Sequence, residues 1–265
     1  CRGCVGERIA WPWEKMNLKL ISCEVFKHEF LHCISKTNNN IDVEFIKKGI
    51  HDLNSEGMQN RIVKSIKKAD GKGFEAILLG YGLCNTWVYG LVANKTPLVI
   101  PRSHDCIGIL LGSKQKYLDY YFENPGTYFQ SVGWMENTKN ESFIKKRSLQ
   151  KLYGMDISQD ELKTLYGEEN LDYLNDALDQ TKHYSNMAFI DTGLDSHKNY
   201  QKQAKSKADN NYWGFEVLKG NRKLLQQLVN GIWPESEFLV VNSGTMVQQS
   251  INEDLVTATT PISSK

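Results

Sequence analysis

Four short apolar runs, spaced by amphipathic stretches, limit most strongly what this chain can fold into. "LKLISCEV" (18–25), "FEAILLGYG" (74–82), "TPLVIPR" (96–102) and "EFLVVNSG" (237–244) are too continuous for half-exposed strands and too short for buried helices. Between them lie helical patterns. "FKHEFLHCISK" carries Phe26, Phe30, Cys33 and Ile34 at helical spacing, and "MQNRIVKSIKKAD" (58–70) puts Ile62, Ile66 and Ala69 on one side before "GKG" ends it. "IDVEFIKKG" (41–49) alternates as a strand does, and "MAFIDTG" (187–193) reads as another. "CIGILLGSKQKYLDYYFENPG" (106–126) reads as one helix stopped at Pro125 and Gly126, "TYFQSVGW" (127–134) as a fifth strand, and "KLLQQLVNG" (223–231) as a helix closed by Gly231. Strands alternating with helices imply parallel pairing through right-handed crossovers. The expected fold is α/β: a doubly wound, mainly parallel sheet with a helical insertion at about residues 140–185, a polar, charged segment opening on a Ser158 cap.

A chain of 265 residues suits one domain with its own core. Residues 17–250 are expected to form it. Residues 1–16 read as an N-terminal extension, because Met16 precedes the first clear strand, and the Thr- and Ser-rich tail at 251–265 is expected to fray. Net charge is +1, with 32 basic and 31 acidic residues, so nothing marks a nucleic-acid surface. No apolar run approaches the roughly 20 residues of a membrane span, and no apolar leader is evident. These readings predict a cytoplasmic protein. In a reducing compartment the six cysteines (Cys1, Cys4, Cys23, Cys33, Cys84 and Cys106) are thiols or metal ligands rather than disulfides. The lone Cys1–Cys4 pair is a weak metal signal, and Cys33 lies on an apolar helix stripe.

Two places carry candidate chemistry. "HEFLH" (28–32) has the spacing of a zinc-hydrolase motif, with His28 and His32 one turn apart and Glu29 between them to polarise water. Against it, no downstream motif announces a third ligand, and helices beside parallel sheets seldom carry the site, which gathers at strand carboxyl ends. Those ends are the second place. The first strand ends in Cys23, the third runs through Gly80 and Gly82 into Cys84, and the fourth runs through Arg102, His104 and Asp105 into Cys106. In the order 2-1-3-4-5 the three strands are neighbours, and three thiols would face one crevice about 10 Å across. Cys23, Cys84 and Cys106 are therefore candidate ligands for zinc or an iron–sulfur cluster, with His104 a candidate fourth ligand or proton carrier and Asp105 its orienter or a helix cap. Gly80 and Gly82 would leave room for a ligand, and Arg102, turned inward, would favour thiolate at Cys106. A thiol site without metal and plain core packing are the competing readings. Neither "GYGLCN" nor "LLGSK" has the glycine spacing of a phosphate-binding loop.

"LLGYGLCNTWVYGL", "LVIPRSHDCIGILLGSKQKY" and "PGTYFQSVGW" resemble the signature blocks of the DUF1638 family, and "SCEV" and "GIWPESEFLVVNSG" resemble its outer blocks, so the likeness spans about residues 17–245. Family members commonly have a glycine-rich stretch where Asn85, Thr86 and Trp87 stand here. The resemblance implies a protein of anaerobic archaea and bacteria, encoded near genes of corrinoid-dependent methyl transfer. It implies no particular activity and leaves open whether the protein is an enzyme. An accessory module that docks a corrinoid protein or methyltransferase is the alternative, with Trp87, Tyr89, Trp134 and Trp213 as candidate contacts.

Overall fold

The most apolar runs become the most buried strands. The computed structural model describes residues 15–47, 55–83, 87–138, 167–168, 184–194, 197–250 and 255–260. In it β1 (Asn17–Cys23) is buried at every position after Asn17, and β3 (Ala76–Gly80) and β4 (Leu98–Pro101) are buried throughout. A strand covered on both faces needs apolar side chains at successive positions, which is why these segments do not alternate. β2 (Asn40–Ile46), at the sheet edge, is half exposed and does alternate at its start. The five-stranded sheet runs β2-β1-β3-β4-β8. Its first four strands are parallel, and β8 (Phe238–Val241) pairs antiparallel with β4.

The fifth position of that sheet was expected to go to the segment 127–134. Instead β5 (Thr127–Gln130) opens a second, all-parallel sheet, β5-β6-β7, with β6 (Asn186–Asp191) and β7 (Gly214–Lys219). The place beside β4 goes to "FLVV", apolar at each position, rather than to "TYFQ", whose first three residues stay half exposed. From Val132 the chain is helical: α5 spans Val132–Thr138. The mainly parallel α/β architecture is as the alternation predicts, divided between two sheets. Ile190, Leu218 and Phe129 of the second sheet pack into the main core, while Met187 and Phe189 form a smaller cluster with Ala204 and Ala208.

The helices follow the apolar spacing. α1 (Lys27–Ile34) follows a 3-10 turn at Glu24–Phe26 and buries Phe30 and Cys33, and α2 (Ser55–Ala69) buries Ile62, Ile66 and Ala69. Burying each such aliphatic or aromatic side chain contributes about 1.5–3 kcal/mol before the entropy of ordering it. The single helix expected over 106–126 is two helices, α3 (Cys106–Leu111) and α4 (Lys114–Glu123). Gly112 stops the first in a left-handed conformation (φ 73°), and the Ser113 hydroxyl caps the second by accepting from the Lys116 N–H at 3.2 Å. α6 (His197–Asn210) covers the second sheet, and α7 (Lys223–Asn230), closed at Gly231, packs on α1, β3 and β4.

Both chain ends differ from expectation where they are described. Met16, assigned to the extension, accepts the Asn40 N–H at 2.8 Å and packs on the core. In the tail expected to fray, β10 (Val256–Thr259) pairs antiparallel with β9 (Met246–Gln249), and Val256 is fully buried. The expected helical insertion at 140–185 lies almost wholly outside the described residues. No helix among the described residues is long and apolar enough to cross a membrane.

Candidate functional site

Parallel pairing sets the carboxyl ends of β1, β3 and β4 along one edge of the first sheet. Ser22 lies opposite Gly80, and Leu78 lies opposite Val99. Cys23 ends β1 and begins the 3-10 turn, only 2% exposed. Gly80, which ends β3, and Gly82 just beyond it do not leave ligand space, contrary to expectation. A methyl group on Gly80 would lie 2.4 Å from Ser22 Oγ and 2.7 Å from the Phe30 ring, and one on Gly82 would lie 2.6 Å from Asp105 Cα. Both gaps are filled by protein. Ser22 Oγ donates to the Gly80 carbonyl at 3.1 Å, the Trp87 indole N–H donates to the Gly82 carbonyl at 2.9 Å, and the Leu83 N–H donates to the Ser103 carbonyl at 2.9 Å. The loops after β3 and β4 are thus stapled backbone to backbone.

Of the residues after β4, Asp105 is a helix cap. Its carboxylate accepts the N–H groups of Ile107 (2.9 Å) and Gly108 (3.1 Å), a contact generally worth about 1 kcal/mol. It does not orient His104, which is exposed and has no hydrogen-bond partner among the described residues. Arg102 does not turn toward Cys106. Its guanidinium donates to the carbonyls of Glu235, Phe238 and Val256, at the start of β8 and of β10 and in the turn before β8. Its expected part in ligand binding is therefore replaced by a structural one. Cys84 lies outside the described residues.

Cys106 opens α3 half-buried, and the Trp134 indole N–H donates to its Sγ at 3.3 Å. Trp134 is held by α5, whose Gly133 packs so closely on the 3-10 turn that a methyl there would meet the Val25 carbonyl at 1.8 Å. α5 thereby links the end of β1 to Cys106. Tyr117, beside Asp105, has its phenol pushed up, first by burial and then by the Asp105 charge. Cys33, deep under α1, is pushed up by burial to about 11 and is inert as a thiol.

A cleft of about 520 Å³ opens between α3 and the carboxyl end of β5, with Cys106, Trp134, Tyr128, Gln130, Tyr184 and Lys207 among its walls. Gln130 is 7% exposed, and its Oε1 has no hydrogen-bond partner among the described residues. Tyr128 and Tyr184 meet edge to face at 5.1 Å, Trp213 backs both at 5.7 Å, and Lys207 Nζ sits 4.8 Å over the Tyr128 ring. The volume and the aromatic walls with few polar groups suit a small, flat ligand with a thiol at its edge. Trp134 thus lines this site and Trp213 packs behind its tyrosines, while Trp87, 1% exposed, offers no face to a partner. The sequence signal for Trp134 and Gln130 was present in "TYFQSVGW", but reading it as one strand hid the helix start that aims the indole.

The HEFLH residues do not converge on one metal-binding point. His28 Nε2 lies 2.6 Å from Glu136 Oε2, and the Tyr200 hydroxyl donates to Glu136 Oε1 at 2.8 Å. Burial alone would raise Glu136, but the hydrogen bonds from His28 and Tyr200 prevail and hold it below the usual carboxylate range. Glu29 is 1% exposed and accepts the Thr192 hydroxyl at 2.9 Å; burial pushes its carboxyl up. His32 points toward Arg222 and Lys36, and desolvation with those two charges pulls it down. A hydrolytic glutamate must reach the attacking water, and this one is sealed. Among the described residues no group of three or more His, Cys, Asp or Glu is placed to hold a metal ion.

A family model described as "Protein of unknown function (DUF1638)" matches residues 45–229. Comparison with curated proteins and with solved structures finds no match.

Proposed function

The chain belongs to the DUF1638 family, and from that premise we propose that it is a thiol-centred ligand-binding protein of anaerobic, corrinoid-linked one-carbon metabolism. Cys23, Cys84 and Cys106 hold zinc or an iron–sulfur cluster at the strand carboxyl ends, with His104 as the fourth donor, and the cleft beside Cys106 receives the substrate. The observation that carries the reading is the stapling of Gly82 and Leu83 to Ser103 and Asp105. Cys84 follows Leu83 directly, and Cys106 follows Asp105. The residues just before Cys84 thus lie against the residues just before Cys106, on the edge where β1 ends in Cys23, and this supports a shared thiol site.

The described donors fit such a group in part. Cys106 is half-buried and its sulfur already accepts a hydrogen bond; Cys23 is only 2% exposed. When bound, thiolate-held zinc supplies Lewis acidity toward a thiol methyl acceptor, and a cluster supplies one-electron transfer. The protein's own part is to aim the Cys106 sulfur through Trp134, fix the first turn of α3 through Asp105, and keep the ligand among Tyr128, Tyr184 and Gln130.

The test is an oxygen-free preparation with metal analysis and a visible spectrum, on the native protein and on Cys84→Ala and Cys106→Ala. Stoichiometric metal lost in both variants supports the reading. A colourless, metal-free native protein sinks it, as does metal retained unchanged in both variants.

A second reading, a docking module for a corrinoid protein or methyltransferase in the cytoplasm, is favoured by one feature. Tyr121 and Phe122 on α4 are 51% and 76% exposed, adjacent, and stacked edge to face at 5.9 Å. Capture of a methyl-transfer protein by the native chain but not by Phe122→Ser would support it, and equal capture by both would refute it.

A further inference from the structure

Another cleft lies at the carboxyl ends of β6 and β7. It measures about 770 Å³ and is bounded by the last turn of α1, the first turn of α7 and the loops that leave the two strands. In open parallel sheets this edge is where ligands bind.

The walls are strongly one-signed. Lys36 comes from just past the end of α1, Lys219 from the end of β7, and Arg222 and Lys223 from the start of α7; Asp191 is the one acid among the described residues that line the cleft. None of the four cations makes an ion pair among the described residues. The Arg222 Nη1 is buried and has no hydrogen-bond partner among them. A sealed guanidinium N–H left unpaired is costly, and the group that best satisfies it is an oxyanion held by its planar fork. Two acids lie near these four cations. The Asp191 carboxylate is committed to the Gly193 N–H at 2.8 Å. Glu29 is buried and bonded to Thr192; burial raises its carboxyl, against the lowering effect of the Arg222 charge. The amino-terminal end of the α7 dipole adds to the positive field. Val217, 41% exposed on one wall, gives an apolar surface for the uncharged part of a ligand.

We infer that this cleft binds a phosphate-bearing small molecule, with Arg222 taking the phosphate, Lys36, Lys219 and Lys223 supporting it, and Val217 contacting the organic moiety. The site is separate from the thiol centre, and the inference does not rest on that reading.

Calorimetric titration of the full chain with phenyl phosphate, inorganic phosphate and succinate tests it, using the native protein, Arg222→Gln, Lys219→Gln and the remote exposed control Lys72→Gln. The expected result is saturable binding of phenyl phosphate, tighter than inorganic phosphate and much tighter than succinate. Arg222→Gln should weaken it by about tenfold or more, as for loss of a charge-assisted bond. Lys219→Gln should weaken it by a few-fold, and Lys72→Gln should leave it unchanged. Circular dichroism checks folding; should Arg222→Gln be misfolded, Lys219→Gln, altered only at an exposed side chain, decides. No binding of any phosphate overturns the inference, as does native affinity in the folded Arg222→Gln (or in Lys219→Gln where that variant decides). Equal loss in Lys72→Gln, or succinate binding as tightly as phenyl phosphate, would show a diffuse anion effect and overturn it too.

Discussion

Replacing Gly82 by alanine adds one methyl group where the loops after β3 and β4 touch. That methyl would lie 2.6 Å from Asp105 Cα, 2.6 Å from its carbonyl carbon and 2.9 Å from its oxygen. Ordinary carbon–carbon contact needs about 3.5–4 Å, so the loops must part by roughly 1 Å. The obstructing atoms are all backbone and cannot rotate away, which puts the cost at the upper end of overpacking, about 3 kcal/mol. With a urea dependence of about 3 kcal/mol per molar, the unfolding midpoint should fall by about 1 M with an unchanged slope. Separation of the loops should also loosen the Asp105 cap and quicken alkylation of Cys106. Gly73→Ala is the contrast: its left-handed φ of 83° costs about 1–2 kcal/mol, but nothing lies within 4 Å of the added methyl, so Cys106 should be unaffected. A Gly82→Ala midpoint within about 0.2 M of the native value would mean that the two loops are not pressed together and would remove the support for a shared thiol centre.

Glu29 makes stability pH-dependent with a definite sign. Its folded carboxyl is raised above the ordinary value of 4.5, so the folded state binds the proton more tightly than the unfolded, and stability falls as pH rises above that value through the folded pKa. Glu29→Gln can keep the Thr192 bond and should gain stability relative to the native protein as pH rises above 4.5; urea midpoints showing no relative gain would refute this. Iodoacetamide on the native chain at pH 8 should label Cys106 well before Cys33, whose thiol is pushed up to about 11, and mass mapping with Cys33 labelled first would contradict the burial assigned to it. Arg102→Ala should cost about 2 kcal/mol by leaving the Glu235, Phe238 and Val256 carbonyls without their charged donor. Hydrogen exchange should show β10 opening first, and unchanged protection there would argue that pairing with β9 alone holds the segment.

Much of the first sheet was legible because local pattern and final burial agree there. The unbroken apolar runs of β1, β3 and β4, and the spacing of Phe30 and Cys33 in α1, can be satisfied only by two-sided cover and a helix stripe. β7 was missed because "GFEVLK" is half exposed along most of its length, and β10 because Thr-rich sequence reads as a tail until a partner strand pairs with it. The helix break at Gly112 was written in "LLGSK" as a left-handed stop followed by a serine cap, but an apolar run across it concealed the change.

The residues by themselves determined an α/β chain with adjacent β1, β3 and β4, since burying strongly apolar segments between amphipathic helices leaves few other arrangements. Only the tertiary structure decided what the polar side chains do. Arg102 turned to the tail, Asp105 became a cap, Glu29 and His32 parted to different surroundings, and Arg222, Lys36 and Lys219 came from separate segments to one cleft. Apolar burial depends on the period of the local sequence, whereas a hydrogen bond or an ion's surroundings depend on which distant segment arrives within about 3 Å, and that is set by long-range packing.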